Sequence, residues 1–232
     1  MARAVLFDLF GTLISSASRE ERDSVSYEVA VELGVDGQAF AQLVRSTFDE
    51  RVKGELGGLI ETYVGLAHRL GGAPDSNQVD RAVQRRLDLS HQLLGDESAA
   101  PVLDQLRFSG FRLGVVSDCS IETATIWEST WLSSAVDAVS FSCQLGTRKP
   151  DPRNYLKVTR ALGVSPDDCV YVGDGGSHEL SGARALGMDA VLVADPREEG
   201  RERPDEELDW DGDTVSSLAE ILARLGIPAG AP

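Results

Sequence analysis

The chain has 232 residues, of which 42% are hydrophobic and 26% are charged, a composition typical of a globular protein. It carries 22 basic residues against 38 acidic ones, so its formal net charge is −16. A nucleic-acid partner would require a basic face, and a membrane span would require a long apolar run that the sequence lacks. We therefore expect a small-molecule substrate, with neither nucleic acid nor membrane as a partner.

A strand pattern begins almost at the first residue, so we expect no signal peptide ahead of it. The three cysteines are widely spaced, at Cys119, Cys143 and Cys169, and match neither a disulfide framework nor a zinc site. Buried, reduced thiols in a cytoplasmic protein are the expected interpretation. The oligomeric state does not follow from the sequence.

The first predicted element is a strand over residues 3–9, which is nearly all apolar, as in a parallel sheet covered on both faces. Residues 19–94 change character and contain four predicted helical stretches. Each of these stretches stops near a glycine: Gly34, Gly54, Gly71 or Gly95. No strand pattern occurs there, so we predict an all-helical insert, or cap, over residues 16–96.

From about residue 98 the pattern alternates between strands and helices. Strands are predicted over residues 112–117, 137–141, 169–173 and 189–193. Helices are predicted near 102–109, 121–131, 152–162, 178–186 and 214–225. This alternation predicts right-handed βαβ units and an α/β, doubly wound parallel sheet. Residues 1–15 and 97–232 are therefore assigned to an α/β core that the helical cap interrupts.

Chemically useful side chains follow the predicted strands. Asp8 ends the first strand among apolar residues, where an unpaired carboxylate would be costly. Ser117 and Asp118 end the second strand, Lys149 lies in the loop after the third, and Asp174 follows the fourth. Because the carboxyl ends of parallel strands meet at one edge of a sheet, we expect these groups to share one crevice.

Such a set suits displacement by an aspartate nucleophile, with Asp8 forming a covalent intermediate. Asp8 and Asp174 are a suitable oxygen pair for a hard divalent cation, which would offset the repulsion between the nucleophile and an anionic substrate. Ser117 and the backbone amides after Asp8 are candidates for holding substrate oxygens. Lys149 is a candidate for pairing with the substrate and the aspartate together.

Four short motifs occur in order along the chain. They are Phe-Asp-Leu-Phe-Gly-Thr-Leu at 7–13, Val-Val-Ser at 115–117, Arg-Lys-Pro-Asp-Pro at 148–152, and Val-Gly-Asp at 172–174 with Glu179 five residues later. Over nearly its whole length the chain resembles the haloacid dehalogenase-like (HAD) hydrolase superfamily. The predicted insert between the first two motifs resembles a type 1 cap, so the resemblance implies a Rossmann-like core with this cap.

The resemblance also implies roles for individual residues. Asp8 would be the nucleophile, and Lys149 would be the second catalytic residue, steadying the transferring group. Thr12 and Ser117 would bind that group. The full set of candidate substrate-binding residues is Thr12, Ser117, Asp118 and Phe10.

A magnesium ion is the cofactor that the resemblance implies. Asp8, Asp174 and the carbonyl oxygen of Phe10 would be its ligands. Glu179 would either reach the ion through water or hold Lys149 in a salt bridge, and we expect it to support the site from outside the ligand shell. In the predicted cap, Arg45, Arg51 and Lys53 lie on one helix and its end. They are either solvated charges or, for a cap that faces the crevice, groups that bind an anionic tail of the substrate.

Two positions depart from the family pattern in opposite directions. HAD phosphatases usually carry a second aspartate two positions after the nucleophile, which protonates the leaving group, but this chain has Phe10 there. Either the leaving group departs unaided, or a group such as His178 or Asp118 supplies the proton, or the chemistry is not phosphate-ester hydrolysis. The haloacid dehalogenases carry an aromatic residue at this position, and Tyr155 also resembles theirs.

The dehalogenases, however, need no metal and have serine and asparagine where this chain has Asp174. Two like charges 4 Å apart repel by about 4 kcal/mol at an effective dielectric constant of 20, so Asp174 beside Asp8 favours a metal. The lead interpretation is a magnesium-dependent phosphatase acting on a small phosphorylated metabolite. The alternatives are a 2-haloacid dehalogenase and a binding protein that kept the fold but lost turnover.

Overall fold

The computed structural model describes residues 3–198, 200–201 and 204–228. Its strands are β1 (Ala4–Phe7), β2 (Arg112–Ser117), β3 (Ala138–Phe141), β4 (Cys169–Gly173), β5 (Asp189–Val193) and β6 (Asp213–Val215). They form one sheet in the order β3-β2-β1-β4-β5-β6, and every neighbouring pair is parallel. The predicted parallel α/β fold is therefore confirmed.

Twelve α-helices accompany the strands in the described part of the chain. The first five are α1 (Arg19–Leu33), α2 (Gly37–Ser46), α3 (Phe48–Val52), α4 (Leu59–Arg69) and α5 (Ser76–Leu94). The others are α6 (Ala100–Phe108), α7 (Ile121–Ile126), α8 (Trp131–Ala135), α9 (Ser142–Leu145), α10 (Pro152–Leu162), α11 (Glu179–Ala185) and α12 (Glu220–Arg224). None of the described helices is long and apolar enough to span a bilayer.

Alternate residues of each central strand enter two hydrophobic layers, one on each face of the sheet. In β1, Val5 and Phe7 pack into a layer that includes residues of α6 and α12. Leu6 packs on the opposite face with Tyr155 and Val158 of α10. Burial on both faces explains why the central strands are apolar throughout, and it fixes the sheet edge at which Asp8 emerges.

Residues 19–94 form the helical insert, with five helices, no strand and a hydrophobic cluster of their own. Its longest helices begin with reciprocal side-chain caps, from Ser18 and Glu21 at α1 and from Asp75 and Gln78 at α5. Four helical stretches were expected here, but the second is divided at Thr47. The hydroxyl of Thr47 donates to the carbonyl of Leu43 (2.7 Å), and its backbone leaves helical geometry between α2 and α3.

The prediction of a final helix over residues 214–225 is wrong at its start. Residues Asp213–Val215 instead form β6 at the edge of the sheet, and the amide of Ala194 donates to the carbonyl of Val215 (2.8 Å). The β-branched pair Thr214 and Val215 suits an edge strand, and the helix begins only at Glu220. The first strand is also shorter than predicted, because it ends at Phe7 and leaves Asp8 in the following loop.

Candidate active site

Asp8 and Asp174 lie at the carboxyl ends of two neighbouring strands. The backbone amide of Asp8 donates to the carbonyl of Val172 in β4 (2.9 Å), and the amide of Gly176 donates to Asp174 Oδ1 (3.0 Å). The loop after β1 passes close to Asp174, since a Cβ atom at Gly11 would lie 2.4 Å from Asp174 Oδ2. Gly11 also has φ +87°, so this approach requires glycine on both counts.

Lys149 links two of the buried carboxylates. Its ammonium donates to Asp8 Oδ1 and, at 2.5 Å, to Glu179 Oε2, and the side chain is only 3% exposed. Glu179 also accepts from the Tyr171 hydroxyl at Oε2 (2.9 Å) and from the Gly175 amide at Oε1 (3.1 Å). Since both oxygens of Glu179 already accept hydrogen bonds, its contacts are those of a residue that positions Lys149.

Negative charge exceeds positive charge in this cluster. Carboxylate oxygens of Asp8, Asp174 and Glu179 lie within 4.8 Å of one another, and Lys149 is the ammonium that contacts two of them. Burial raises the pKa of Asp8 to about 6; Lys149 opposes this rise and Asp174 adds to it. The all-oxygen donor set and the excess of two negative charges fit a hard divalent cation such as Mg²⁺.

Two buried hydroxyls near these strand ends have no hydrogen-bond partner within the described chain: Thr12 Oγ1 and Ser117 Oγ. Both hydroxyls can therefore donate to a bound group. Such a bond would remove the free energy cost of burying a polar atom without a partner. Asp118, by contrast, already has partners within the protein. Its Oδ1 accepts a hydrogen bond from the Lys149 backbone amide (2.9 Å), and its Oδ2 lies 3.8 Å from Arg148 Nε. Asp118 lines the cavity described next, whereas Thr12 and Ser117 are absent from its described wall.

A cavity of about 490 Å³ separates the sheet edge from the helical insert. Asp8, Phe10, Lys149 and Asp174 of the core line it. Four arginines of the insert also line it: Arg22, Arg45, Arg51 and Arg86. Lys53, a third candidate from the same predicted helix as Arg45 and Arg51, instead pairs with Asp49. His178 is exposed and lies outside the described wall.

A second buried polar contact joins the insert to the core, and the sequence analysis missed it. Glu122 of α7 is 2% exposed and accepts from the Tyr63 hydroxyl of α4 (2.5 Å) and from Arg86 Nε of α5 (3.3 Å). Burial would raise the pKa of Glu122, but Arg86 and Arg51 outweigh burial and lower it to about 2. We call these four residues the junction cluster.

The structure is a Rossmann-like α/β core with a lysine-bridged acidic site at its strand ends. A sequence model of the haloacid dehalogenase-like hydrolases matches residues 2–187. The chain belongs to this family and is a hydrolase.

Phosphatases are among the relatives of the chain. It is 29% identical over 232 residues to the glyceraldehyde 3-phosphate phosphatase of Methanopyrus kandleri, and the match covers 97% of this chain and 99% of that protein. It is 30% identical over 204 residues to the phosphoglycolate phosphatase of Rhodospirillum rubrum, and the match covers 84% of this chain and 80% of that one.

Solved structures of two activities share the fold. A HAD phosphatase from Thermococcus onnurineus aligns with a TM-score of 0.64 at 23% identity, covering 97% of this chain and 98% of that one. An L-2-haloacid dehalogenase from Xanthobacter autotrophicus aligns with a TM-score of 0.64 at 21% identity, covering 98% and 100%. At this identity the likeness shows the fold alone and does not separate the two activities.

Replacing Glu122 by Gln should lower the free energy of unfolding at pH 7 by about 3–5 kcal/mol, because it leaves a buried guanidinium without its carboxylate. Folding lowers the Glu122 pKa from 4.5 to about 2, so the carboxylate stabilises the protein fully above the unfolded value. That stabilisation is lost as the pH falls through the folded value. Urea unfolding between pH 7 and about pH 3 should therefore show the difference between the variant and the wild type shrinking once the pH falls below 4.5.

The control is Glu50→Gln, which removes an ion pair with Arg69 between side chains that are 37% and 41% exposed. It should leave the free energy of unfolding nearly unchanged, because exposed ion pairs contribute little. A Glu122→Gln variant as stable as the wild type at pH 7, or a difference that does not shrink in acid, would contradict this account of the junction cluster.

Proposed function

We propose that this chain is a Mg²⁺-dependent phosphatase that hydrolyses a small phosphorylated metabolite through an aspartate nucleophile. The observation that carries the proposal is the buried cluster of Asp8, Asp174 and Glu179, whose oxygens lie within 4.8 Å of one another beside Lys149. An excess of two negative charges would repel an anionic substrate, and a divalent cation removes that repulsion. The names of the phosphatase relatives agree with this assignment.

Asp8, Asp174 and the carbonyl oxygen of Phe10 would hold Mg²⁺, which when bound supplies positive charge next to the transferring phosphoryl oxygens. Asp8 attacks phosphorus, and the bond from phosphorus to the alcohol oxygen breaks, leaving a phosphoaspartate and an alkoxide that takes its proton from water. A water molecule then attacks that phosphorus, and the bond from phosphorus to the Asp8 oxygen breaks, which releases phosphate and one proton and restores the Asp8 carboxylate.

The surrounding residues hold the reacting groups in place. Lys149, fixed by Glu179, orients the Asp8 carboxylate and pairs with the phosphoryl oxygens as negative charge accumulates on them. The hydroxyls of Thr12 and Ser117, which lack a partner in the described structure, donate to the same oxygens. The insert covers the site, and a cavity of about 490 Å³ lies in the size range of small-molecule sites.

Phe10 is the observation that favours a second candidate, a 2-haloacid dehalogenase. It lines the cavity beside Asp8 and cannot move a proton, and a halide leaving group needs none. Asp174 counts against this candidate, because an unneutralised aspartate there would repel both Asp8 and a carboxylate substrate. A third candidate is a binding protein of this fold that retains the site without turnover.

One assay separates these candidates: phosphate release from a panel of metabolites and chloride release from 2-chloropropionate, each with Mg²⁺ and with excess EDTA. We expect phosphate release only with Mg²⁺ and no chloride release. Asp8→Asn should lower kcat by at least about 10⁴-fold, since it removes the nucleophile. The matched control is Asp104→Asn, because Asp104 is an exposed aspartate of α6.

Chloride release that persists in EDTA would contradict the phosphatase and support the dehalogenase. Phosphate release that persists in EDTA, or in Asp8→Asn at the wild-type rate, would contradict the metal and the nucleophile respectively. Binding of phosphate analogues without turnover of any substrate would support the third candidate.

Phe10→Asp tests the missing proton donor. General acid–base catalysis is typically worth about 10²–10⁴ in rate, and it matters most for alkoxide leaving groups that need a proton. We expect the ratio of kcat/KM for glycerol 3-phosphate to that for p-nitrophenyl phosphate to rise at least tenfold in Phe10→Asp. The control variant, Phe10→Leu, removes the ring without adding an acid and should leave the ratio unchanged. An unchanged ratio in both folded variants would mean that another residue already protonates the leaving group.

A further inference from the structure

The cavity is lined by charged groups from two parts of the chain. The strand ends and the loops of the core contribute Asp8, Asp174 and Lys149, and the insert contributes four arginines together with Asp23. Four guanidinium groups around one cavity are notable in a chain whose net charge is −16. Whether they bind a ligand depends on which of them already have partners.

Arg22 and Arg45 have partners inside the protein. Arg45 Nη1 pairs with the carboxylate of Asp23, which lines the same cavity. Arg22 Nη1 donates to the carbonyl of Ala17 (2.6 Å). Both guanidinium groups therefore already have acceptors near the N-terminal end of α1.

Arg51 is different. Its Nη2 donates to the carbonyl of Val44 (2.8 Å), but its buried Nε has no hydrogen-bond partner in the described part of the chain. Burial lowers the pKa of Arg51, and Glu122 only partly opposes this. A buried guanidinium donor without an acceptor is costly, and the Arg51 side chain is one of those that line the cavity.

The junction cluster does not supply the missing negative charge. Glu122 is its only carboxylate; its Oε1 accepts from Tyr63 and Arg86, whereas its buried Oε2 has no hydrogen-bond partner in the described part of the chain. Two guanidinium groups, those of Arg51 and Arg86, thus share one negative charge, which leaves one positive charge in excess. Arg86 also lines the cavity, with 15% of its side chain exposed.

We infer that Arg51 and Arg86 form a second anion site in this cavity, which binds a carboxylate of the substrate while its phosphate lies at Asp8. A carboxylate supplies the acceptor that Arg51 Nε lacks and balances the excess charge, and guanidinium groups bind carboxylates through strong charge-assisted hydrogen bonds. The substrate class is then a small phosphorylated carboxylic acid. The phosphate end of this inference rests on the proposed function, whereas the carboxylate site rests on the contacts of Arg51 and Arg86.

The test compares 3-phosphoglycerate with glycerol 3-phosphate, which differ only by a carboxylate in place of a hydroxymethyl group. In the wild type we expect kcat/KM to be at least tenfold higher for 3-phosphoglycerate. In Arg51→Gln this preference should fall to less than threefold, and Arg51→Lys should restore part of it. The control, Arg85→Gln, removes an arginine of the same helix as Arg86 that is 52% exposed and lies outside the described cavity wall, so the preference should persist.

Calorimetry on the Asp8→Asn variant with Mg²⁺ repeats the comparison without turnover. Tighter binding of 3-phosphoglycerate than of glycerol 3-phosphate, lost in the double variant Asp8→Asn/Arg51→Gln, would support the anion site. This holds even if the wild type hydrolyses neither compound. The absence of hydrolysis would remove only the phosphatase proposal. Hydrolysis of both compounds without preference would remove only the anion site. A preference that Arg51→Gln retains would also overturn the anion site, and it would leave Arg51 with a structural role beside Glu122.

Discussion

The contact of Lys149 with Asp8 and Glu179 is the constraint on which the site depends. The ammonium lies at the carboxyl edge of the sheet, where β1 and β4 end side by side. Tyr171 and the Gly175 amide hold Glu179, and Glu179 holds Lys149 against Asp8. One ammonium does not balance three carboxylates, so the arrangement that holds Asp8, the proposed nucleophile, also leaves negative charge that a divalent cation would balance.

The cavity is lined by residues from two parts of the chain. The groups proposed to act on phosphorus come from the sheet edge, where the central strands are buried on both faces. The arginines come from helices that have a hydrophobic cluster of their own. The Glu122 contacts with Tyr63 and Arg86 fix the position of this second set relative to the first.

Much of this could be predicted from the sequence, because the information is local. Apolar runs between helical patterns indicated the five strands β1 to β5, and the strand ends indicated Asp8, Ser117, Lys149 and Asp174. The contacts that could not be predicted are non-local. In the sequence Tyr171 is one more residue of an apolar strand, and nothing there indicates that its hydroxyl donates to Glu179. Glu122 contacts Tyr63 and Arg86, which are 59 and 36 positions away in the sequence. The edge strand β6 was not predicted, because its three residues are too few to show the alternation of apolar and polar side chains that indicates a strand.

The most direct measurement of the central claim is a crystal structure grown with Mg²⁺. The account predicts an octahedral ion bound to one carboxylate oxygen each of Asp8 and Asp174, at about 2.0–2.1 Å, with Lys149 still bonded to Glu179. Density that shows no ion between the two aspartates at saturating Mg²⁺, or that places their side chains too far apart to share one, would contradict it.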